Sequence, residues 1–344
     1  MKKIIGLLLL LAFTLSLFSF FGCFGYKSET KVEVLKTYPK EMAPAQIIKT
    51  DDKWVMLNNT YGESKYSISV GTELDSLIDV YSVDDVRIWY VDANQKAIVW
   101  CEKSDETYTY KMYDFETEEI IVISQRSIEE GFQAQNIGIY LDKVYYCLVD
   151  YERQEVSVFA YDIVLKETDV IHKCAFVEKK QPYSINLEDE YLNFVCAEQV
   201  KVLNLKENRT DFEVLLPDDV KYAYTASYDR INDTCAVYYA DEDSEDIGII
   251  KKGDVEISCH ITFSENHYAY HEKVECHDGY IYWIFQANVS GYIVDNYCFA
   301  DYNYLESLPL EIERTFEFYR KGKEIYLLRF NENAGGPCVE LCKY

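Results

Sequence analysis

Four of the five histidines lie between positions 260 and 277, as His260, His267, His271 and His277, with Cys259 and Cys276 beside the outer two. Imidazole and thiolate are the ligands that zinc prefers, so spacing decides whether these residues can act together. His267 and His271 share a face if the segment is a strand, but four residues at strand rise separate them by about 13 Å, too far for one ion. A helix would bring them together, yet His267-Tyr-Ala-Tyr-His271 alternates as a strand does. His260 and His277 converge only if neighbouring units bring them together. Loop and edge histidines are the simpler expectation.

A second candidate is the acidic run Asp241-Glu-Asp-Ser-Glu-Asp246. Calcium takes six to eight oxygens, and alternate carboxylates can supply several of them. Asp241, Asp243, Glu245 and Asp246 are therefore weak Ca²⁺ candidates. The run lacks the central glycine and the later bidentate glutamate of an EF-hand loop, so a solvated hairpin tip is preferred and no cofactor is required. Other catalytic signatures are missing from the chain: Gly-x-Ser-x-Gly, a Walker loop, a dinucleotide fingerprint and His-Glu-x-x-His. Carboxylate pairs abound among 60 acidic residues, so their presence singles out no glycosidase. No catalytic residue is assigned.

The elements that must position these groups are written as a repeat. Seven times a polar turn residue precedes a run of aromatic and β-branched residues: Asp52–Leu57, Gln95–Trp100, Asp142–Cys147, Asp189–Phe194, Asp233–Tyr238, Asp278–Trp283 and Gly322–Leu327. The starts at 52, 95, 142, 189, 233, 278 and 322 are 43 to 47 residues apart. A period of that length built from short strands predicts a β-propeller with one four-stranded blade per repeat. The expected fold is all-β, a seven-bladed propeller of antiparallel blades. In the third unit the alternation predicts strands at Asn136–Leu141, Lys143–Val149, Glu155–Asp162 and Lys166–His172. In the fifth it predicts Tyr222–Tyr228, Thr234–Ala240, Ile247–Lys251 and Val255–Ile261. The last unit ends one strand short, so Lys31–Lys36 is expected to supply its outer strand and close the ring.

The aromatic content follows from this pattern. The 32 Tyr and 17 Phe are read mostly as blade core, because flat rings pack well on a pleated sheet. Tyr61, Tyr151, Tyr228 and Tyr268 fall at expected turns and could form a rim for stacking on a sugar or peptide. Cys101, Cys147, Cys196 and Cys235 fall in or at the end of second strands and are read as small buried hydrophobes. Most of the 11 cysteines are therefore expected to be free thiols, with a Cys259–Cys276 pairing left open. Cys338 and Cys342 are too far apart along one strand to join each other.

The amino terminus reads as an export leader. Met1-Lys2-Lys3 is basic and Ile4–Phe21 is uncharged and mostly apolar. Phe20-Phe21-Gly22-Cys23 resembles the bacterial lipobox, in which a small residue precedes a cysteine that is lipidated. Gly22 and Cys23 fit, whereas Phe20 and Phe21 stand where the family prefers Leu and a small residue. The resulting organisation is a signal peptide at 1–22, a spacer from Cys23 at 23–30 and the propeller at 31–344. A retained signal anchor and a freely secreted chain are the alternatives to lipid attachment.

The repeat resembles the broad class of WD40-like and quinoprotein-like propellers, and bacterial surface lipoproteins built on them, in period and pattern. The Gly-His and Trp-Asp dipeptides of WD40 repeats, the tryptophan-docking motifs of quinoproteins and the sialidase box are missing. No family's functional residues are carried over. With 34 basic against 60 acidic residues the formal charge is −26, which opposes binding to phosphate backbones. The expected role is an extracytoplasmic, membrane-tethered, monomeric module that binds or scaffolds a protein, peptide or glycan and does not bind nucleic acid. The alternative is a carbohydrate-active enzyme using carboxylates in a central funnel.

Overall fold

In the computed structural model the described residues are 32–343, except 61–63, 176–183, 197–198, 218–219, 221, 241–244, 254–257, 263–266, 290–291, 302–309, 314 and 332–337. They form 28 strands in seven four-stranded sheets. After β1 (Glu33–Pro39), the first sheet takes β2 (Pro44–Lys49), β3 (Trp54–Thr60), β4 (Lys65–Gly71) and β5 (Ile78–Asp84). The second takes β6 (Arg87–Ala93), β7 (Ala97–Lys103), β8 (Thr107–Asp114) and β9 (Ile120–Ser127). The third takes β10 (Phe132–Tyr140), β11 (Lys143–Asp150), β12 (Glu155–Asp162) and β13 (Glu167–Ala175). The fourth takes β14 (Ser184–Glu188), β15 (Tyr191–Cys196), β16 (Gln199–Asn204) and β17 (Arg209–Leu215). The fifth takes β18 (Tyr222–Asp229), β19 (Thr234–Ala240), β20 (Glu245–Lys251) and β21 (Ser258–Thr262). The sixth takes β22 (His267–His277), β23 (Tyr280–Val289), β24 (Tyr292–Asp301) and β25 (Leu310–Glu313). The last contains β26 (Thr315–Lys321), β27 (Glu324–Asn331) and β28 (Cys338–Lys343).

The expected architecture is corrected here. Six sheets, not seven, are complete blades of four consecutive antiparallel strands. The remaining sheet is a composite, ordered β1-β28-β27-β26. The amino-terminal strand covers Glu33–Pro39 and not 31–36, and it lies at the outer edge of that sheet, adding Tyr38 to a seam built mainly by other strands. Propeller sheets meet face to face, so closure comes from the first sheet packing on the last. Ile47, Trp54 and Met56 interlock with Tyr326, Leu328, Val339 and Leu341, and Trp54 meets Tyr326 edge to face at 5.2 Å. Similar apolar seams join the second sheet to the third and the fourth to the fifth.

Local chemistry explains the repeated phrase. Asp189, Asp233, Asp278 and Gly322 each take a positive φ, between 50° and 58°, in the turn between first and second strands. Asp and Gly tolerate that left-handed backbone better than bulkier residues, so the phrase marks the hairpin. The strand that follows is buried along its length, as in Ala97–Glu102 and Val144–Asp150. Fourth strands are largely exposed, as in Glu167–Ala175, and the apolar run at 120–123 of β9 alternates between exposed and half-buried. Between β10 and β14 the approach is close. A Cβ on Gly138 would lie 2.7 Å from Leu187 Cβ, so only glycine fits there.

Candidate binding channel

The first strands line a central space. Two adjoining cavities of about 390 and 440 Å³ share Asp92, Leu187, Glu275 and Tyr319 as walls. The smaller is bordered by at least one residue from the first strand of every sheet, including Gln46, Tyr90, Asn136, Ile185, Thr225 and Phe316. Neighbouring first strands are tied across this space by side chains. Gln46 donates through Nε2 to the Val91 carbonyl at 3.2 Å and Asn136 donates to the Ile185 carbonyl at 2.9 Å. Asp92 Oδ2 accepts from the Ile139 amide at 2.9 Å. Such bonds satisfy backbone groups that β-ladders leave open.

The larger cavity holds the chief charge cluster. Arg320 on β26 donates from Nε to Glu275 Oε2 at 3.1 Å, and its Nη2 lies 3.9 Å from Glu188 Oε2. All three side chains are buried, at 6, 12 and 8% exposure for Arg320, Glu275 and Glu188. One guanidinium can compensate one carboxylate fully, and Glu275 is the nearer. Burial and the Glu275 charge push the Glu188 carboxyl up to about 8, against the opposing pull of Arg320. Ser227 donates to Glu188 Oε2 at 2.8 Å. The same hydroxyl accepts the Cys276 amide at 2.6 Å, while the Cys276 thiol donates to the Ser227 carbonyl at 2.8 Å. Tyr319 borders the cluster, and burial together with Asp92 and Glu275 raises its phenol. The network links the fourth, fifth, sixth and last sheets across the axis.

The residues singled out in the sequence are scattered. Cys23, Asp241 and Asp243 lie outside the described residues, as do the side chains of Glu245, His260, His267 and His271. Asp246 is not at a solvated hairpin tip. It lies on β20 opposite Tyr239, 3% exposed, which removes it from an open calcium loop. Tyr228 is also corrected. It is buried against Tyr191 with its hydroxyl donating to Asp233 at 2.5 Å, so it packs a seam and not a rim. Tyr151 is exposed, while Tyr61 and the Tyr268 side chain lie outside the described set. His277 is half-buried, and burial followed by nearby Arg320 lowers its pKa. Among the described residues no group of three or more His, Cys, Asp or Glu is arranged to hold a metal ion.

The cysteines divide. Cys101, Cys147, Cys235, Cys276, Cys338 and Cys342 are free and buried. Burial pushes the Cys147 thiol up to about 12 and the Cys342 thiol up to about 11, so these two ionise little and are poor nucleophiles. Cys174 differs, being disulfide-bonded.

No family model matches the chain, and no curated protein matches it. Solved structures do. The β-propeller domain of the Trilobed protease from Pyrococcus furiosus aligns with a TM-score of 0.56 at 10% identity, over 85% of this chain and 91% of that one. The AfRom2 CNH domain aligns at 0.54 with 13% identity, over 91 and 99%. Pyrococcus horikoshii acylaminoacyl peptidase aligns at 0.52 with 11% identity, over 86% of this chain and 49% of that one. Together with the ring of sheets these settle the fold. The chain is a β-propeller. At such identities the likeness carries no activity. The propeller's charged triad was legible only in part: Glu188, Glu275 and Arg320 each precede a repeat's turn by one to three residues. Lys49, Asp51, Asp92 and Arg230 stand at comparable places in other units, so position in the repeat alone does not single the triad out.

Proposed function

We propose that this propeller is an exported, membrane-tethered binding module that presents the mouth of its channel to a protein, peptide or glycan and performs no catalysis. The observation that carries the reading is the engagement of Glu188 and Glu275 by one buried arginine. A glycosidase needs two carboxyls facing a substrate, one of them free to move a proton. Here Arg320 stands between the two carboxyls and is bonded to Glu275, Glu188 is buried and holds the Ser227 hydroxyl, and the aromatic side chains described are mostly seam residues. The repeat and the ring offer a rigid disc, and rigid discs suit recognition by their loops. The −26 charge favours a basic protein surface over nucleic acid as partner. Tethering rests on the leader and on Cys23 at the lipobox-like sequence.

Affinity capture of the full-length exported protein from intact cells tests the binding reading. One stoichiometric protein partner, lost when the channel-mouth residues Asp189 and Glu190 are changed to Lys, is expected. Glycan turnover that follows the purified protein, with no partner recovered, would overturn it. Fractionation tests the tether: Cys23→Ser should move the protein from membranes to the medium, and unchanged retention would exclude lipid attachment.

A further inference from the structure

Charge is unevenly matched around the larger cavity. The wall given by the first and last sheets carries Lys49, Arg320 and Lys321, and the wall given by the fourth carries Glu188, Asp189 and Glu190. Most of these charges are answered within the fold. Lys321 pairs with Asp51 at 2.6 Å, Glu190 with Arg230 at 2.6 Å and Arg320 with Glu275 at 3.1 Å. Two are not. Lys49, at the end of β2, meets no carboxylate at ion-pair distance among the described residues. The acids around it each hold another lysine: Asp51 holds Lys321, Asp52 holds Lys53 at 2.7 Å and Glu324 holds Lys343. The Lys49 ammonium rests 4.8 Å from the centre of the Trp54 ring, and burial followed by the Lys321 charge lowers its pKa. It is a half-buried cation beside a second cation, and an anion is what that wall lacks.

Asp189 is the counterpart. It stands exposed in the turn after β14, with a φ of 51°, and meets no cation at ion-pair distance among the described residues. Its charge and that of Glu190 are felt by Tyr140, another wall residue, whose phenol is raised by burial and then by these two acids. In a ring of seven sheets the first and the fourth are three places apart, as far as any two can be. The unanswered cation and the unanswered anion therefore face the same cavity from opposite sides. A cavity of about 440 Å³ is about 9 Å across if round, and extended chain spans about 3.3 Å per residue, so two to three residues cross it.

We infer that the larger cavity binds a zwitterionic peptide of two to three residues across the channel axis, its carboxylate at Lys49 and its ammonium at Asp189. The inference rests on the binding role proposed above and names a ligand class for that site. A ligand with one charge satisfies one wall and leaves the other unmatched. A free amino acid carries both charges but holds them too close together to reach both walls. Each end of a short peptide instead meets a charge that the fold leaves unanswered, in a partly enclosed space where such pairs gain more than in open water.

Isothermal titration of the full-length protein at pH 7 with trialanine, trialanine amide, N-acetyl-trialanine and alanine tests the assignment. Trialanine should bind one to one, and capping either end, or shortening to alanine, should weaken binding about tenfold or more. Lys49→Gln should cost trialanine about tenfold and leave trialanine amide unaffected, since that ligand has no carboxylate to lose. Asp189→Asn, which suits the same left-handed turn, should cost trialanine as much and leave N-acetyl-trialanine unaffected. Lys49→Arg should restore binding. No binding of trialanine, equal binding of its capped forms or of alanine, or equal losses for all ligands in either variant would overturn the inference. Should Lys49→Gln fail to fold, the capped peptides and Asp189→Asn decide it alone. Capture of a protein partner by a chain that ignores trialanine would sink this inference and leave the proposed binding role standing; trialanine binding without any partner would do the reverse.

Discussion

The seam between the second and third sheets and the channel around Arg320 are built from different strands of the same repeat and solve burial in opposite ways. In the seam, Tyr110 leans on Tyr146 at 4.6 Å with the rings tilted by 41°, and Tyr146 stacks on Phe159 at 5.0 Å. The polar atom there is quenched completely. The Tyr110 hydroxyl donates toward the Gln135 and Cys147 carbonyls and accepts the Gln135 amide at 3.1 Å. In the channel the buried groups carry charge, and two acids share one base. The seam is stabilised by apolar area, and the channel by an electrostatic balance that leaves one carboxyl protonated near neutrality. Aromatic residues in this chain therefore mark structure. Charges at the ends of first strands mark what sets this propeller apart.

Removing the base should give the largest effect. Arg320→Met leaves Glu188 and Glu275 buried together, and a broken buried pair costs about 3–5 kcal/mol. Chemical denaturation reads this, and a loss under about 1 kcal/mol would mean that the channel is hydrated and the contrast with the seam is false. In the seam, Tyr110→Phe keeps the ring and strands the Gln135 amide, at a cost of about 1–3 kcal/mol in the same experiment. If the two losses were equal, polar satisfaction and charge balance would weigh alike in both regions.

The pH response separates the regions further. The Glu188 carboxyl is raised in the folded chain from 4.5 to about 8, so folding favours its protonated form. Its stabilisation is complete below the unfolded value and is lost as pH rises through about 8. Melting temperature should therefore decline between pH 5 and 8, and Glu188→Gln should flatten that decline while Tyr110→Phe leaves its slope intact. An identical slope in Glu188→Gln would remove Glu188 as the titrating group. The smallest effect belongs to the outer edge. Lys173 pairs with Glu155 at 2.6 Å on an exposed strand, and Lys173→Ala should leave the denaturation midpoint almost unchanged, with any change abolished in high salt.

Much of the fold could be read from residues whose pattern is local. The phrase beginning at Asp233 predicted Thr234–Ala240 as a strand, and the structure places one with those bounds. Glu155–Asp162 likewise coincides. The fourth strands were harder, since Glu167–Ala175 is mostly exposed and lacks the alternation that burial imposes. The composite sheet was misjudged in its bounds and its role because β1 answers to partners far along the chain. The triad escaped for the same reason: Glu188, Glu275 and Arg320 belong to different repeats, and only the ring brings them together. Tyr228 was misplaced because a tyrosine next to a turn looks like a rim residue until its ring meets Tyr191 across the seam.

The composite sheet also orders events in time. During synthesis β1 emerges before the other described strands, yet the neighbour it needs, β28, follows all of them. Roughly 300 residues separate the two, so their pairing carries the largest chain-closure entropy in the molecule and belongs late in folding. The six blades of consecutive strands can each form as they appear. Until β26–β28 arrive, the faces of Ile47, Trp54 and Met56 lack their covering sheet, and that apolar surface is where a nascent chain would require protection.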